Sequence, residues 1–140
     1  MEAVEAGGSI CLDTSILIDN LRGKKGTVDF LRKLEDAGTG LSTTAVNSFE
    51  LFYGAYKSEK RVNNLAAAKT LLSRLMLLDL TVEASDEAAR ILSLLEEKGY
   101  VIGFRDVLIA AIALTNDMTL VTNDVDHFRR VPGLEVLTAQ

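Results

Sequence analysis

The sequence predicts a doubly wound α/β domain, in which helices cover both faces of a parallel sheet of four to five strands. Short apolar runs alternate along the chain with longer segments whose apolar residues recur at helical spacing. The apolar runs lack the strict alternation of a half-exposed sheet, which indicates strands that are buried on both faces. No linker, repeat or low-complexity segment interrupts this pattern. We therefore expect residues 1–140 to form a single domain.

The first half of the chain is predicted to contain two strands and four helices. The first strand is the apolar run 10–12, and a short helix over 15–21 follows it. Thr27 is placed to cap a second helix that ends at Gly38, because threonine hydroxyls accept hydrogen bonds from free backbone N–H groups. The remaining elements are a strand over 40–42, a helix that Ser42 or Thr43 caps and that runs to Lys57, and a helix over 63–74.

The second half of the chain is predicted to contain three strands and two helices. The apolar run 76–80 is the first of these strands. Ser85 is expected to cap the helix that follows, and Gly99 to end it. The segment 106–114 is apolar on every side, which predicts a buried helix. The last two strands are expected over 119–122 and 134–137.

The composition is typical of a folded protein and argues against several classes of protein. The chain is 48% hydrophobic and 25% charged, as globular domains usually are. No apolar run is long enough to span a bilayer, and the first residues lack the basic start and apolar core of a secretory signal, so we expect a cytoplasmic protein. The net charge of −5 argues against broad nucleic-acid binding, unless several of the acids hold divalent cations.

The only cysteine, the only histidine and a group of aromatic residues are each given a structural role. Cys11 lies in the first predicted strand, where a packed thiol is favoured over a catalytic one. His127 is expected at a helix end or beside a phosphate, in preference to acting as a general base. The aromatic residues recur at helical spacing, which favours packing in the core or in a dimer over base stacking. They are Phe49, Phe52, Tyr53 and Tyr56.

Four acidic residues stand where an ordinary sequence seldom has them. Asp13 follows the first predicted strand, and Asp124 follows the fourth. Asp106 opens the apolar helix, and Glu50 lies on a mostly apolar face of the third helix. In a doubly wound sheet, ligands collect in the crevice outside the carboxyl ends of the strands. We therefore expect the four acids to face one crevice.

Each of these acids also has a purely structural explanation. Asp13 and Asp124 are placed to cap helices, Asp106 to oppose a helix dipole, and Glu50 to reach water from the helix border. Jointly these explanations are less satisfactory, because ionised carboxylates near a core are costly unless they are paired or bound to metal. None of the four has a Lys or Arg three or four residues away. A shared cation accounts for all four at once.

The chemistry of these acids favours a hard metal ion. Carboxylates without a cysteine, and with a single histidine in the chain, select Mg²⁺ or Mn²⁺ over Zn²⁺. Such clusters serve the hydrolysis of phosphodiesters, because bound metal activates water and stabilises the leaving oxygen. The hydroxyls of Thr14, Ser15 and Thr122 are expected to orient the carboxylates or metal-bound waters.

The acids stand in four successive motifs that together resemble those of a known family. The motifs are Asp13-Thr14-Ser15 after an apolar strand, Glu50 within 49–54, Asp106 within 103–111, and Thr122-Asn123-Asp124 before His127-Phe128. They resemble PIN-domain ribonucleases, and most closely the VapC-type toxins of prokaryotic toxin–antitoxin pairs. The resemblance covers almost the whole chain.

The resemblance implies a Mg²⁺- or Mn²⁺-dependent endoribonuclease that acts on an RNA substrate. By it, the catalytic and metal-binding acids are Asp13, Glu50, Asp106 and Asp124, and Asp126 is a further candidate ligand. It also implies a homodimer, and a small antitoxin protein whose C-terminal segment occupies the active-site groove. Four cations are candidates for guiding the RNA backbone: Arg22, Lys24, Lys25 and Arg105.

Two other functions stay open. An aspartyl-nucleophile phosphatase also has an acid directly after a strand, but it usually carries a second acid two residues later, where this chain has Ser15. A non-catalytic module of the same fold would bind RNA or a partner protein. That alternative is weakened because all four acids are present.

Overall fold

The computed structural model describes residues 9–139, and its centre is one five-stranded sheet in which every strand pairing is parallel. The predicted doubly wound α/β class is therefore confirmed. The strand order is β3-β2-β1-β4-β5, so β1 is central and the order reverses between β1 and β4. The strands are β1 (Ile10–Leu12), β2 (Leu41–Thr44), β3 (Met76–Leu78), β4 (Thr119–Val121) and β5 (Val136–Leu137).

Seven helices cover the two faces of this sheet in the part of the chain that the structure describes. They are α1 (Thr14–Leu21), α2 (Lys25–Asp36), α3 (Ala45–Lys57), α4 (Arg61–Leu72), α5 (Val82–Glu97), α6 (Phe104–Thr115) and α7 (Val125–Phe128). Within 9–139, none of them has the length and apolarity needed to cross a membrane.

The core consists of two apolar clusters, one on each face of β1. Ile10 and Leu12 belong to the cluster built with α1, α2 and α4, whereas Cys11 belongs to the cluster built with α5 and α6. Successive side chains of a strand point to opposite faces, so β1 contributes to both clusters. The predicted burial of α6 is confirmed, because every residue over 109–113 is fully buried. Cys11 is fully buried too, and burial raises the pKa of its thiol to about 12, as a packed structural thiol requires.

The predicted cap of α3, Ser42 or Thr43, was wrong by one or two residues. Thr44 is the N-cap, and its Oγ1 accepts a hydrogen bond from the backbone N of Asn47 at 3.1 Å. Ser42 and Thr43 belong to β2, where their hydroxyls donate to the backbone carbonyls of Ile10 (2.8 Å) and Leu12 (2.7 Å). Pairing of Thr43 and Thr44 with β3 extends the strand and moves the helix start along the chain.

The predicted caps of α2 and α5 were also wrong. Helix α2 begins at Lys25, and Thr27 is buried inside it. The N-cap of α5 is Thr81, whose Oγ1 accepts from the backbone N of Ala84 at 3.1 Å. Ser85 lies within the helix, and its hydroxyl donates back to the carbonyl of Thr81 at 3.0 Å. Helix α2 thus begins without a side-chain cap, and the cap of α5 is a threonine four residues before the predicted serine.

Two further boundaries differ from the prediction. Helix α6 begins at Phe104, so Asp106 lies in its first turn instead of opening it. The strand β3 ends at Leu78 and forms an edge of the sheet, where Met76 is 62% exposed.

The aromatic face of α3 is more open than a core position would be. Phe49, Tyr53 and Tyr56 are each exposed by about half.

Candidate active site

Three acidic side chains come together at the carboxyl end of the central strand. Asp13 follows β1 directly, Glu50 lies in α3, and Asp106 lies in the first turn of α6. Burial raises the pKa of Asp13 and of Glu50 the most. In addition, the carboxylate of Asp106 raises the pKa of Asp13, and both aspartates raise the pKa of Glu50. This place borders the reversal of strand order between β1 and β4, where α/β sheets bind ligands.

Asp13 is the most deeply buried of the three acids, at 8% exposure. Its Oδ2 accepts hydrogen bonds from the hydroxyls of Thr122 (2.7 Å) and Ser15 (3.5 Å), and its Oδ1 accepts from Nδ2 of Asn47 at 3.1 Å. Burial raises the pKa of Asp13, and the bonds from Thr122 and Asn47 oppose that rise only in part. Asp13 occupies the N-cap position of α1 but makes no side-chain capping bond, so helix capping does not explain this carboxylate.

Glu50 is held by a hydroxyl on one oxygen and faces a cation with the other. Its Oε1 accepts a 2.7 Å hydrogen bond from Thr14 Oγ1, and its Oε2 lies 3.8 Å from Nη1 of Arg105. Burial is the largest cause of the raised pKa of Glu50, which the hydrogen bond from Thr14 and the charge of Arg105 oppose. Sequence spacing does not show the Arg105 contact, because the two residues lie on different helices.

Asp106 has a partner that the sequence analysis missed. Nε2 of His127 lies 2.9 Å from Oδ2 of Asp106, and the two residues are 21 positions apart on α6 and α7. The imidazole therefore lies against a carboxylate of the site, not merely at a helix end. Because His127 and Asp106 are far apart in the sequence, no local pattern indicated this contact.

The two acids after β4 differ from the other three in their exposure and contacts. Asp124 and Asp126 are exposed, and in the described part of the chain no side-chain hydrogen bond or ion pair joins either to Asp13, Glu50 or Asp106. Asp124 is the N-cap of α7 without a side-chain capping bond. Its backbone N donates at 3.1 Å to the same Thr122 hydroxyl that donates to Asp13. Thr122 thus ties this turn to the site.

The four predicted RNA-contacting cations divide into two groups. Arg105 lies beside Glu50, and Arg22 lines a groove that also includes Glu50. Lys24 and Lys25 form surface ion pairs with two other aspartates. Their partners are Asp19, with N and O 3.5 Å apart, and Asp29, at 2.8 Å.

Asn47 is the second residue of the site that the sequence analysis missed. It is fully buried, and its amide contacts both Asp13 and Thr14. An asparagine three residues after a helix cap is ordinary, and this one closes a capping box with Thr44. The only sign in the sequence that Asn47 belongs to the site was its place one helical turn before Glu50.

The donor set fits a hard divalent cation with an incomplete protein cage. All three central groups are carboxylates, and Asp13 has no Lys, Arg or His within ion-pair distance among residues 9–139. Over the same residues, no three His, Cys, Asp or Glu side chains are grouped so that they could hold a metal ion. Ions such as Mg²⁺ are commonly held by one or two carboxylates and keep several waters.

Comparison with known proteins identifies the family. Residues 10–134 match the PIN domain family. The chain belongs to the PIN-domain family. This match contains strands β1 to β4 and all seven helices, together with every acid considered above. The resemblance drawn from the four acidic motifs is therefore confirmed.

Relatives of this PIN domain are VapC proteins. Ribonuclease VapC2 of Rickettsia felis is 38% identical over 96 residues, which are 66% of this chain and 72% of that relative. The tRNA(fMet)-specific endonuclease VapC of Salmonella typhimurium is 31% identical over 126 residues, covering 89% and 93%. The crystal structure of VapBC2 from Rickettsia felis, bound to a DNA fragment from their promoter, is similar with a TM-score of 0.86 and 29% identity, covering 93% of this chain and 98% of that chain.

Proposed function

We propose that this PIN domain is a metal-dependent endoribonuclease that hydrolyses phosphodiester bonds in RNA. The observation that carries the proposal is the meeting of Asp13, Glu50 and Asp106, from three elements, beside the central strand. Relatives named ribonuclease and tRNA-specific endonuclease support RNA as the substrate. We further propose that the whole chain, residues 1–140, works as one such domain.

The metal is proposed to be Mg²⁺ or Mn²⁺, held by carboxylates of this site. Asp13 and Asp106 are the principal ligands, with Glu50, Asp124 and Asp126 completing the set directly or through water. A bound ion of this kind lowers the pKa of a water and neutralises charge on the phosphate. The support for a hard ion is the all-carboxylate donor set, which suits oxygen-preferring cations.

The surrounding side chains hold these acids in place. Thr122 donates to Asp13 and Thr14 donates to Glu50, so each carboxylate keeps one oxygen fixed. His127 holds Asp106 in the same way at 2.9 Å. Arg105 is placed to contact an RNA phosphate once the acids hold a cation, because its side chain is half exposed and its Nη1 is only 3.8 Å from Glu50.

The proposed partners are an antitoxin protein and a second copy of this chain. The antitoxin is supported by the motif resemblance to VapC-type toxins and by the likeness to VapBC2. We therefore propose that the chain is the toxin of a type II toxin–antitoxin pair and acts in the cytoplasm, where RNA is translated. A homodimer is supported by the half-exposed aromatic side chains on α3, which are Phe49, Tyr53 and Tyr56.

The experiment is an RNA cleavage assay with Mg²⁺, with Mn²⁺ and with EDTA. We expect discrete fragments with either metal and none with EDTA. Asp106→Asn should fall below about 1% of wild-type activity, because losing a ligand should exceed the 10–100-fold effect typical of a residue that only orients one. Asp86→Asn, an exposed aspartate on α5, is the matched control and should cleave like wild type.

Two results would contradict the proposal. Full activity in EDTA would exclude a metal-dependent reaction, and full activity in Asp106→Asn would exclude this site. RNA binding without cleavage under either metal would instead favour a non-catalytic module.

A further inference from the structure

The amide of Asn47 joins the start of α3 to the acids of the candidate site. Its Oδ1 accepts hydrogen bonds from Oγ1 of Thr44 (2.7 Å) and from the backbone N of Thr44 (3.3 Å). Its Nδ2 donates to Oδ1 of Asp13 at 3.1 Å and to Oγ1 of Thr14 at 2.9 Å. Both ends of this fully buried amide are therefore satisfied.

The contacts with Thr44 fix which way the amide points. A backbone N–H can only donate, so the group of Asn47 that faces it must be the carbonyl oxygen. The NH₂ group then faces the acids, and each of its hydrogens has one acceptor, on Asp13 and on Thr14. Helix capping and orientation of the site are thus performed by one side chain.

The same amide also determines the direction of the Thr14 hydroxyl. Because that oxygen accepts from Asn47, its own hydrogen is directed elsewhere, and Oε1 of Glu50 lies 2.7 Å away to receive it. One buried amide consequently orients Asp13 directly and Glu50 through Thr14. A neutral donor suits this task. A lysine or arginine there would neutralise the carboxylates and fill the space that a metal cation needs.

We propose that Asn47 is a positioning residue of the metal site, which sets the directions of the Asp13 and Glu50 carboxylates before a cation binds. The inference rests on the proposed metal-dependent function. Residues that orient metal ligands typically change metal affinity or activity by 10–100-fold when they are removed. A side chain that served only as a helix cap would have no such effect.

The test is a calorimetric titration of RNA-free protein with Mn²⁺, accompanied by thermal unfolding. Asn47→Ala should weaken Mn²⁺ binding by about 10–100-fold, because both donors to the site are lost. Thr81→Ala is the matched control, since it removes the hydroxyl cap of α5, which in the described part of the chain has no hydrogen bond to Asp13, Thr14 or Glu50. It should lower the unfolding midpoint as Asn47→Ala does, yet bind Mn²⁺ like wild type.

A second variant covers the case in which Asn47→Ala fails to fold. Asn47→Ser keeps one donor in the buried space, so its loss of Mn²⁺ affinity should lie near the lower, about 10-fold end of the same range. In RNA cleavage, each Asn47 variant should recover part of its lost activity at high Mn²⁺ concentration, whereas a variant that lacks a ligand should not.

The outcomes separate this inference from the function on which it rests. Wild-type Mn²⁺ affinity in the folded Asn47 variants, or equal weakening in Thr81→Ala, would overturn the positioning role alone. A wild-type chain that neither binds Mn²⁺ nor cleaves RNA would overturn the proposed function, and the inference with it.

Discussion

At the scale of single residues, the carboxylates proposed to bind metal also lower the stability of the folded protein. Asp13 and Glu50 are partly removed from water and lie close to a third carboxylate, and the pKa of each is raised for those reasons. A raised pKa means that the fold disfavours the ionised form. The hydrogen bonds from Thr122, Asn47 and Thr14 reduce this cost without removing it.

Replacing Glu50 with Gln should stabilise the metal-free protein at neutral pH. Gln keeps an oxygen for the Thr14 hydroxyl and removes a charge that Asp13 and Asp106 repel. We expect a gain of a few tenths to about 1 kcal/mol in the free energy of unfolding, the range of a partly solvated charge interaction.

The pH dependence of that gain follows from the sign of the shift. Below the ordinary pKa of 4.5, Glu50 is protonated in the folded and unfolded states alike, so the variant and wild type should differ little. The gain should appear as pH rises through the raised folded pKa. Urea unfolding in EDTA at low and neutral pH measures it, with exposed Glu59→Gln as the control. A loss of stability in Glu50→Gln at neutral pH would show that the attraction of Arg105 outweighs the repulsion.

At the scale of helices, the starts of α3 and α5 depend on which hydroxyl reaches a free backbone N–H. Thr81 and Ser85 were both suitable caps for α5 by composition. Only Thr81 stands outside the helix with its side chain on the N–H of Ala84. The Ser85 hydroxyl donates to a carbonyl that already accepts from the Ser85 backbone, so it satisfies no free group.

Thr81→Ala should therefore destabilise the protein by about 1 kcal/mol, the usual cost of removing a capping side chain. Ser85→Ala is the matched control and should be neutral or slightly stabilising, because alanine favours helix more than serine does. Chemical denaturation of both variants measures the difference. Equal effects of the two substitutions would contradict the assignment of the cap.

At the scale of the whole molecule, the site exists only when the sheet and its helices are assembled. Asp13, Glu50 and Asp106 come from distant parts of the chain, and Thr122 is 109 residues from its partner Asp13. An unfolded chain cannot hold these groups together. A cation that binds them should consequently favour the folded state, by an amount set by its concentration relative to its Kd.

Mn²⁺ should raise the thermal midpoint of the wild-type protein. At 100 times its Kd, a bound ligand adds about 2.7 kcal/mol, which corresponds to about 5–10 °C for a domain of this size. EDTA should reverse the shift, and Asp13→Asn should show little of it. Scanning calorimetry measures all three conditions. An unchanged midpoint in saturating Mn²⁺ would contradict metal binding at this place.

The sequence by itself determined the fold class and most of the acids to examine. Apolar runs without alternation reported a sheet that is buried on both faces, and the apolar helix over 106–114 could only be buried. Asp13, Glu50 and Asp106 stood out because carboxylates beside apolar segments need a compensating partner. These are local properties, which can be read from the amino-acid sequence alone.

The tertiary structure alone decided the contacts that give the site its geometry. It placed Asn47 on Asp13, His127 on Asp106 and Arg105 beside Glu50, and it left Asp124 and Asp126 exposed. It also chose Thr44 and Thr81 over neighbouring hydroxyls as helix caps. Each contact between side chains of the site depends on where packed elements direct those side chains, and residues 21 to 109 positions apart carry no local pattern that records it.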